Sequence, residues 1–142
     1  MVTVRQLIAG KEGSLVTVSP DATVRHALEL MAEHEIGAVL VVDGDDLLGV
    51  MSERDYARKV VLKGKFSHDT SVAEIMTERV LCATLELTVP ECMALMSSKR
   101  IRHLPVISED RLVGIVSIGD LVKSTISEQQ FIIRQLETYI AS

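Results

Sequence analysis

Gly49-Val50-Met51-Ser52-Glu53-Arg54-Asp55 returns, 65 positions later, as Gly114-Ile115-Val116-Ser117-Ile118-Gly119-Asp120. The register around this pair holds without a gap from Val16/Leu81 to Tyr56/Leu121. Identical residues stand at Thr23/Thr88, Val24/Val89, Leu30/Leu95, Met31/Met96, Ile36/Ile101, Val41/Val106, Asp45/Asp110 and Leu47/Leu112. An internal repeat sets the architecture before any residue chemistry does. Whatever Gly-x-x-Ser-x-x-Asp does, the chain carries two places to do it.

Outward from this segment, each copy reads as a short helix, a strand, a longer helix, two strands around a tight turn, and another helix. Thr3–Ile8 matches Ser71–Met76, and Thr3 and Ser71 are each placed to cap a first turn. The offset there is larger, so the first copy carries extra residues around Gly10-Lys11-Glu12-Gly13, read as a surface loop. Ser14 to Ser19 reads as a strand, stopped by Pro20-Asp21, with Asp21 or Thr23 opening a helix. Val24, Ala27, Leu28, Met31 and Ala32 recur at helical spacing, as do Val89, Cys92, Met93 and Met96. Both stripes are read as core.

Ala38–Val42 and Leu47–Met51 flank Asp43-Gly44-Asp45-Asp46; Leu104–Ile107 and Leu112–Val116 flank Ser108-Glu109-Asp110-Arg111. Apolar strands around a turn-rich tetrapeptide predict tight hairpins. Pro105 lacks an amide proton, which places its strand at an edge or its residue at a strand start. Glu53 to Leu62 is expected to be helical, with Gly64 as the residue just past its end. Lys63 to Thr70 links the copies, giving domains 1–66 and 67–142. From Asp120 the chain reads as helix to its end. Ile126, Ile133, Leu136 and Ile140 form an apolar face edged by Phe131 and Tyr139, which suits either packing on its own domain or a dimer interface.

With 142 residues, a half-chain core is too small for comfort, so the halves are expected to share one. A net charge of -5 argues against a nucleic-acid-coating surface. No apolar run reaches membrane-spanning length and no signal-peptide pattern is present, so the cytoplasm is the default compartment. Cys82 and Cys92 lack metal-ligand spacing. They are read as buried small hydrophobes, Cys82 in a strand and Cys92 on a helix. His26, His34 and His68 show no ligand spacing and are read as surface residues. No nucleophile–base signature, metal cluster or phosphate loop stands out, and the chain is expected to bind rather than to catalyse.

The chemistry concentrates at the repeated junction. Each copy ends a buried strand with an alcohol, Ser52 or Ser117, and starts a helix whose first-turn amides attract an anion. Asp55 and Asp120 lie one turn in. A carboxylate suits a vicinal diol such as a ribose, and an alcohol with helix amides suits a phosphate. Ser-x-x-Asp at a helix start is equally an ordinary cap, and duplication copies caps as well as sites.

Ile101-Arg102-His103-Leu104-Pro105-Val106, Leu112-Val113-Gly114-Ile115-Val116-Ser117 and Asp120 resemble cystathionine β-synthase (CBS) domains. Essentially the whole chain is similar to one tandem pair, or Bateman module. Ser52-Glu53-Arg54-Asp55-Tyr56-Ala57-Arg58-Lys59 and Lys63-Gly64-Lys65 resemble stand-alone CBS-pair proteins of bacteria and plant organelles. The resemblance implies an α/β (α+β) fold of two repeats, each a small mixed sheet with flanking helices, packed with pseudo-twofold symmetry. It implies a regulatory module whose cleft between repeats takes adenosine ligands (AMP, ADP, ATP, S-adenosylmethionine or NAD(H)), with no required cofactor. A homodimer and an unidentified effector protein are the implied partners. Carried over, Asp55 and Asp120 contact ribose, and Ser52 and Ser117 lie on the phosphate side. Gly37, Ala38, Arg102, His103 and Pro105 line the ligand, and Arg54 and Arg58 can neutralise phosphates. Gly37-Ala38 in one copy against Arg102-His103 in the other makes the two sites unequal. An interaction module without a nucleotide, or a redox protein using NADH or a thiol, is the alternative.

Overall fold

A computed structural model describes residues 1–11 and 15–141. The extra-loop residues Glu12 and Gly13, and the predicted strand start Ser14, lie outside the described residues. The elements run α1 (Val4–Ala9), β1 (Thr17–Val18), α2 (Val24–His34), β2 (Ala38–Asp43), β3 (Asp46–Ser52) and α3 (Glu53–Tyr56). A π-helical turn, Ala57–Val61, continues α3. Then come α4 (Val72–Ile75), α5 (Val89–Lys99), β4 (His103–Ser108), β5 (Arg111–Ser117) and α6 (Ile118–Ala141). Helices and small sheets are mixed as the repeat pattern predicts.

Local chemistry accounts for most of the boundaries. Thr3, Ser71 and Thr88 form capping boxes with Gln6, Glu74 and Glu91, satisfying amides that the first turn leaves open. Thr23 caps α2 through the His26 amide. Helices α2 and α5 each stop on a left-handed residue, Glu35 after α2 and Arg100 after α5. Gly64 has φ +69° just beyond the π turn, the conformation expected of a residue that ends a helix. The second hairpin turns through Glu109 and Asp110, both at positive φ, which matches the twist of the flanking strands.

The chain forms two compact units that do not follow chain order. One contains the middle of the chain as far as Leu81, together with Glu109–Val113. Its sheet has the order β1-β2-β3, with β1 parallel to β2 and β2 antiparallel to β3. Val24, Ala27 and Met31 of α2 cover it together with Val60, and so do Val72 and Ile75 of α4. The other unit joins the N-terminal segment to the chain around α5, β4 and α6. Val4 of α1 is buried there among Val89, Cys92, Met96, Leu104, Val106, Val116 and Leu121. The short helix that precedes each repeat is therefore buried in the core of the other repeat.

The repeat also governs strand pairing. Val18 pairs with Val41 in parallel, and its counterpart Ala83 bridges Val106 in parallel. The second copy keeps only that one bridge, so Cys82 lies beside it rather than within a strand. Alternation turns Ala83 inward and Cys82 outward, and Cys82 is exposed while Cys92 is buried; the expectation that both are buried is corrected for Cys82. Pro105 is the third residue of β4, not its first. Its carbonyl accepts from the Ala83 amide at 2.8 Å. Its missing N–H therefore faces the side where a lone bridge asks for no further bond, which is what an edge position requires.

Leu121 is the buried residue of α6, and every described residue from Ile126 onward is exposed. Packing of the Ile126–Ile140 face on its own unit is not seen. No helix among the described residues is long and apolar enough to cross a membrane.

Candidate functional site: two strand-to-helix junctions

Asp55 and Thr70 are the polar or charged residues buried among the described residues. Thr70 is accounted for by its bond to the Phe66 carbonyl, 2.8 Å. Asp55 stands at the first junction, where β3 passes into α3. Ala38 pairs with Ser52 across the sheet, and the Glu53 amide donates to the Gly37 carbonyl at 3.1 Å. The fold thus brings Gly37, Ala38, Ser52 and Asp55 together. A Cβ on Gly49 would stand 2.7 Å from the Thr77 carbonyl oxygen, so only glycine lets Thr77 approach β3.

The Asp55 carboxylate is fully engaged. Its Oδ2 accepts from the Ser52 amide at 2.9 Å and the Ser52 hydroxyl at 3.0 Å. Its Oδ1 accepts from the Thr77 hydroxyl at 3.3 Å and pairs with Lys59 Nζ at 3.0 Å. Lys59 Nζ also donates to the Ile75 carbonyl at 2.9 Å. Four donors meet the roughly four acceptor directions a carboxylate offers. Arg54 is half-buried and Arg58 exposed on the same short helical run.

The second junction repeats the frame with different occupants. The Ile118 amide donates to the Arg102 carbonyl at 2.9 Å, as Glu53 does to Gly37. The Ser117 amide donates to Asp120 Oδ2 at 2.8 Å, and the Asp120 amide to Ser117 Oγ at 3.1 Å. Lys11 Nζ lies 2.7 Å from the same Oδ2 and donates to the Ile115 carbonyl at 2.6 Å. Among the described residues no hydrogen bond reaches Oδ1, and Asp120 is half-buried. His103 is half-buried, Arg102 exposed and Pro105 buried on the strand alongside.

Burial pushes the Asp120 carboxyl up, but the Lys11 hydrogen bond and charge, with the Ser117 amide and hydroxyl, outweigh it and hold it below its ordinary 3.8. A carboxyl depressed in the folded state adds stability that is fully present above its unfolded pKa and is lost as pH falls through the folded one. The stability gap between the wild type and Asp120→Asn is therefore expected to narrow as pH drops below about 4. Urea midpoints between pH 3 and 6 measure it; a gap independent of pH would mean that Asp120 is not held in its charged form.

Lys59, Thr77 and Lys11 escaped the sequence reading. Lys59 had a signal, since it lies four residues after Asp55 on a helical run. Thr77 and Lys11 had none, because distant chain segments deliver them. His26, His34 and His68 are exposed, and no group of three or more His, Cys, Asp or Glu among the described residues could hold a metal ion. Partial desolvation raises the Cys82 thiol, and burial with the neighbouring Glu91 charge raises the Cys92 thiol, which lowers the thiolate fraction a redox role would draw on.

The CBS domain family's sequence profile matches residues 11–62 and 72–126. This chain belongs to the CBS domain family. The CBS pair is 39% identical over 134 residues to the mitochondrial CBS domain-containing protein CBSX3 of Arabidopsis thaliana, covering 91% of this chain and 65% of that protein. It thus spans somewhat less than two thirds of that relative's length. The solved structure of a Burkholderia ambifaria protein with CBS domains superposes with a TM-score of 0.87 at 50% identity, covering 90% of this chain and 96% of the other. The CBS domain pair of protein MJ0100, solved with 5′-methylthioadenosine and S-adenosylmethionine, shares the fold with a TM-score of 0.79 at 24% identity, over 89% and 98% of the two chains.

Proposed function

We propose that this CBS pair is a regulatory module that senses an adenosine nucleotide (AMP, ADP, ATP or NAD(H)), with the junction at Ser117 and Asp120 as its better site. The observation that carries this reading is the difference between the two carboxylates. Asp55 has every acceptor direction filled from within. Asp120 keeps Oδ1 open while Lys11 and Ser117 hold it ionised and fixed. An oriented carboxylate with a spare oxygen suits a ribose hydroxyl. Ser117, the α6 amides and the cationic side chains nearby suit a phosphate.

In this reading Ser117 lies on the phosphate side, and Arg102, His103 and Pro105 line the ligand. Asp55 and Ser52, with Gly37 and Ala38, form a second site in which a ribose must displace Thr77 or Lys59. Arg54 and Arg58 meet the phosphates there. A CBS pair of the same fold, that of MJ0100, was solved with two adenosine-derived ligands, which is in keeping with this ligand class. A bound ligand acts by favouring one arrangement of the module, by no more than its differential affinity for the two states. The output is an effector protein or the assembly of the module itself as a homodimer.

Asp120→Ala is expected to weaken adenosine nucleotides by about 1–3 kcal/mol, roughly 5- to 150-fold, through lost charge-assisted hydrogen bonds. Isothermal titration with AMP, ADP, ATP and NADH measures it, and far-UV circular dichroism checks the fold. AMP should also bind more tightly than its 2′-deoxy analogue. Unchanged affinity in Asp120→Ala would reduce Asp120 to a helix cap. No nucleotide binding below the millimolar range would favour an interaction module instead.

A further inference from the structure

Helix α6 runs for 24 residues, about 36 Å, but only its first two turns are held by its unit. Leu121 is buried, and the Thr125 hydroxyl lies 3.7 Å from the Met93 sulfur. Beyond that point the helix stands in solvent, although it is strongly apolar. Within the held turns Val122 is already 41% exposed, and beyond them Ile126 is 49%, Ile132 50%, Ile133 53%, Leu136 56% and Ile140 81% exposed. A helix in a protein draws most of its stability from packing of its apolar face rather than from propensity, and here that face is uncovered.

Val122, Ile126, Gln129, Ile133, Leu136 and Ile140 follow one another at alternating steps of four and three. That is the seam of a coiled coil. Phe131, also exposed, lies off it. The charges beside the seam identify what covers it. Lys123 and Glu137 flank it on one side, placed symmetrically about Gln130, and neither makes an ion pair among the described residues. We propose that this stripe pairs antiparallel with the same stripe of a second copy of the chain.

In that register Val122 packs against the partner's Ile140, Ile126 against the partner's Leu136, and Gln129 against the partner's Ile133. Each Lys123 then falls opposite the partner's Glu137, twice by symmetry. Gln130 meets its own mate on that flank, and Ile132 meets its own mate on the other. The contact is isologous and closes as a twofold dimer. A parallel pair would set Gln129 against its mate but leave Lys123 opposite Ile118 and Glu137 opposite Ile132, with no charge matched. This surface is separate from the Asp120 junction, and the nucleotide reading stands or falls without it.

Sedimentation equilibrium of the full chain at low salt tests the pairing. The wild type is expected to dimerise. Lys123→Glu alone, or Glu137→Lys alone, should raise the dimer dissociation constant by about tenfold or more by setting like charges together. The double variant Lys123→Glu/Glu137→Lys should recover the wild-type value. All these positions are exposed, and circular dichroism verifies that the variants fold. In a Cys82→Ser background, Gln130→Cys should form a covalent dimer under mild oxidation and Val122→Cys should not. A monomeric wild type, a dimer indifferent to the charge changes, or cross-linking through Val122→Cys alone would each overturn the proposal. Nucleotide titration of the same variants reports separately on the Asp120 site.

Discussion

Ile75→Ala is expected to destabilise the unit built on the first repeat by about 2–4 kcal/mol, although Ile75 lies at the head of the second repeat. The side chain is 1% exposed and packs in the cluster of Val39, Met51 and Val60. Truncation removes buried methyl and methylene groups and leaves a cavity. The short α4 helix has little else to hold it, since a four-residue helix has no stability of its own. Urea unfolding gives the magnitude, and native-state hydrogen exchange gives the location. Protection should fall in β2, β3 and the π turn while the amides of β4 and of residues 114–117 in β5 are spared. Losses confined to β4, β5 and α5 would show that α4 packs with its own repeat, contrary to the core described above.

Asp55→Ala should cost about 2–3 kcal/mol, from the lost cap and from hydrogen bonds to a charged group. It removes the acceptor for the Ser52 amide and hydroxyl, the Thr77 hydroxyl and Lys59 at once. Lys59 is itself 43% exposed, so water partly satisfies it, and the loss stays below that of breaking a fully buried pair. Asp120→Ala should cost less stability, because its carboxylate is more exposed and makes fewer contacts. The two variants thus separate by readout, Asp55 mainly through the urea midpoint and Asp120 mainly through nucleotide affinity. Equal destabilisation by both would remove the distinction between a structural and a ligand-facing carboxylate.

The two junctions explain why sequence reading reached the site but not its asymmetry. Ser52-x-x-Asp55 and Ser117-x-x-Asp120 look alike over four residues, and both form the reciprocal cap that this spacing allows. What differs is supplied from elsewhere. Asp55 receives Thr77, which follows α4, and Lys59, one turn on. Asp120 receives Lys11, which lies in the stretch where the first copy departs from the repeat register. The Cys82 expectation failed for a related reason. Its strand shrinks to a single bridge at Ala83, and only the local pairing shows which neighbour faces out.

The sequence alone determined most of the elements, most caps and turns, the duplication and the family, because these rest on short-range spacing: 3.6-residue periodicity, Ser or Thr at helix starts, and glycine at turns. Tertiary structure alone decided that α1 and α4 are buried with the opposite repeat, that Lys11 and Thr77 complete the junctions, and that the end of α6 is left uncovered. Those outcomes depend on which distant surfaces exclude water together, a property of the packed chain that no local spacing encodes.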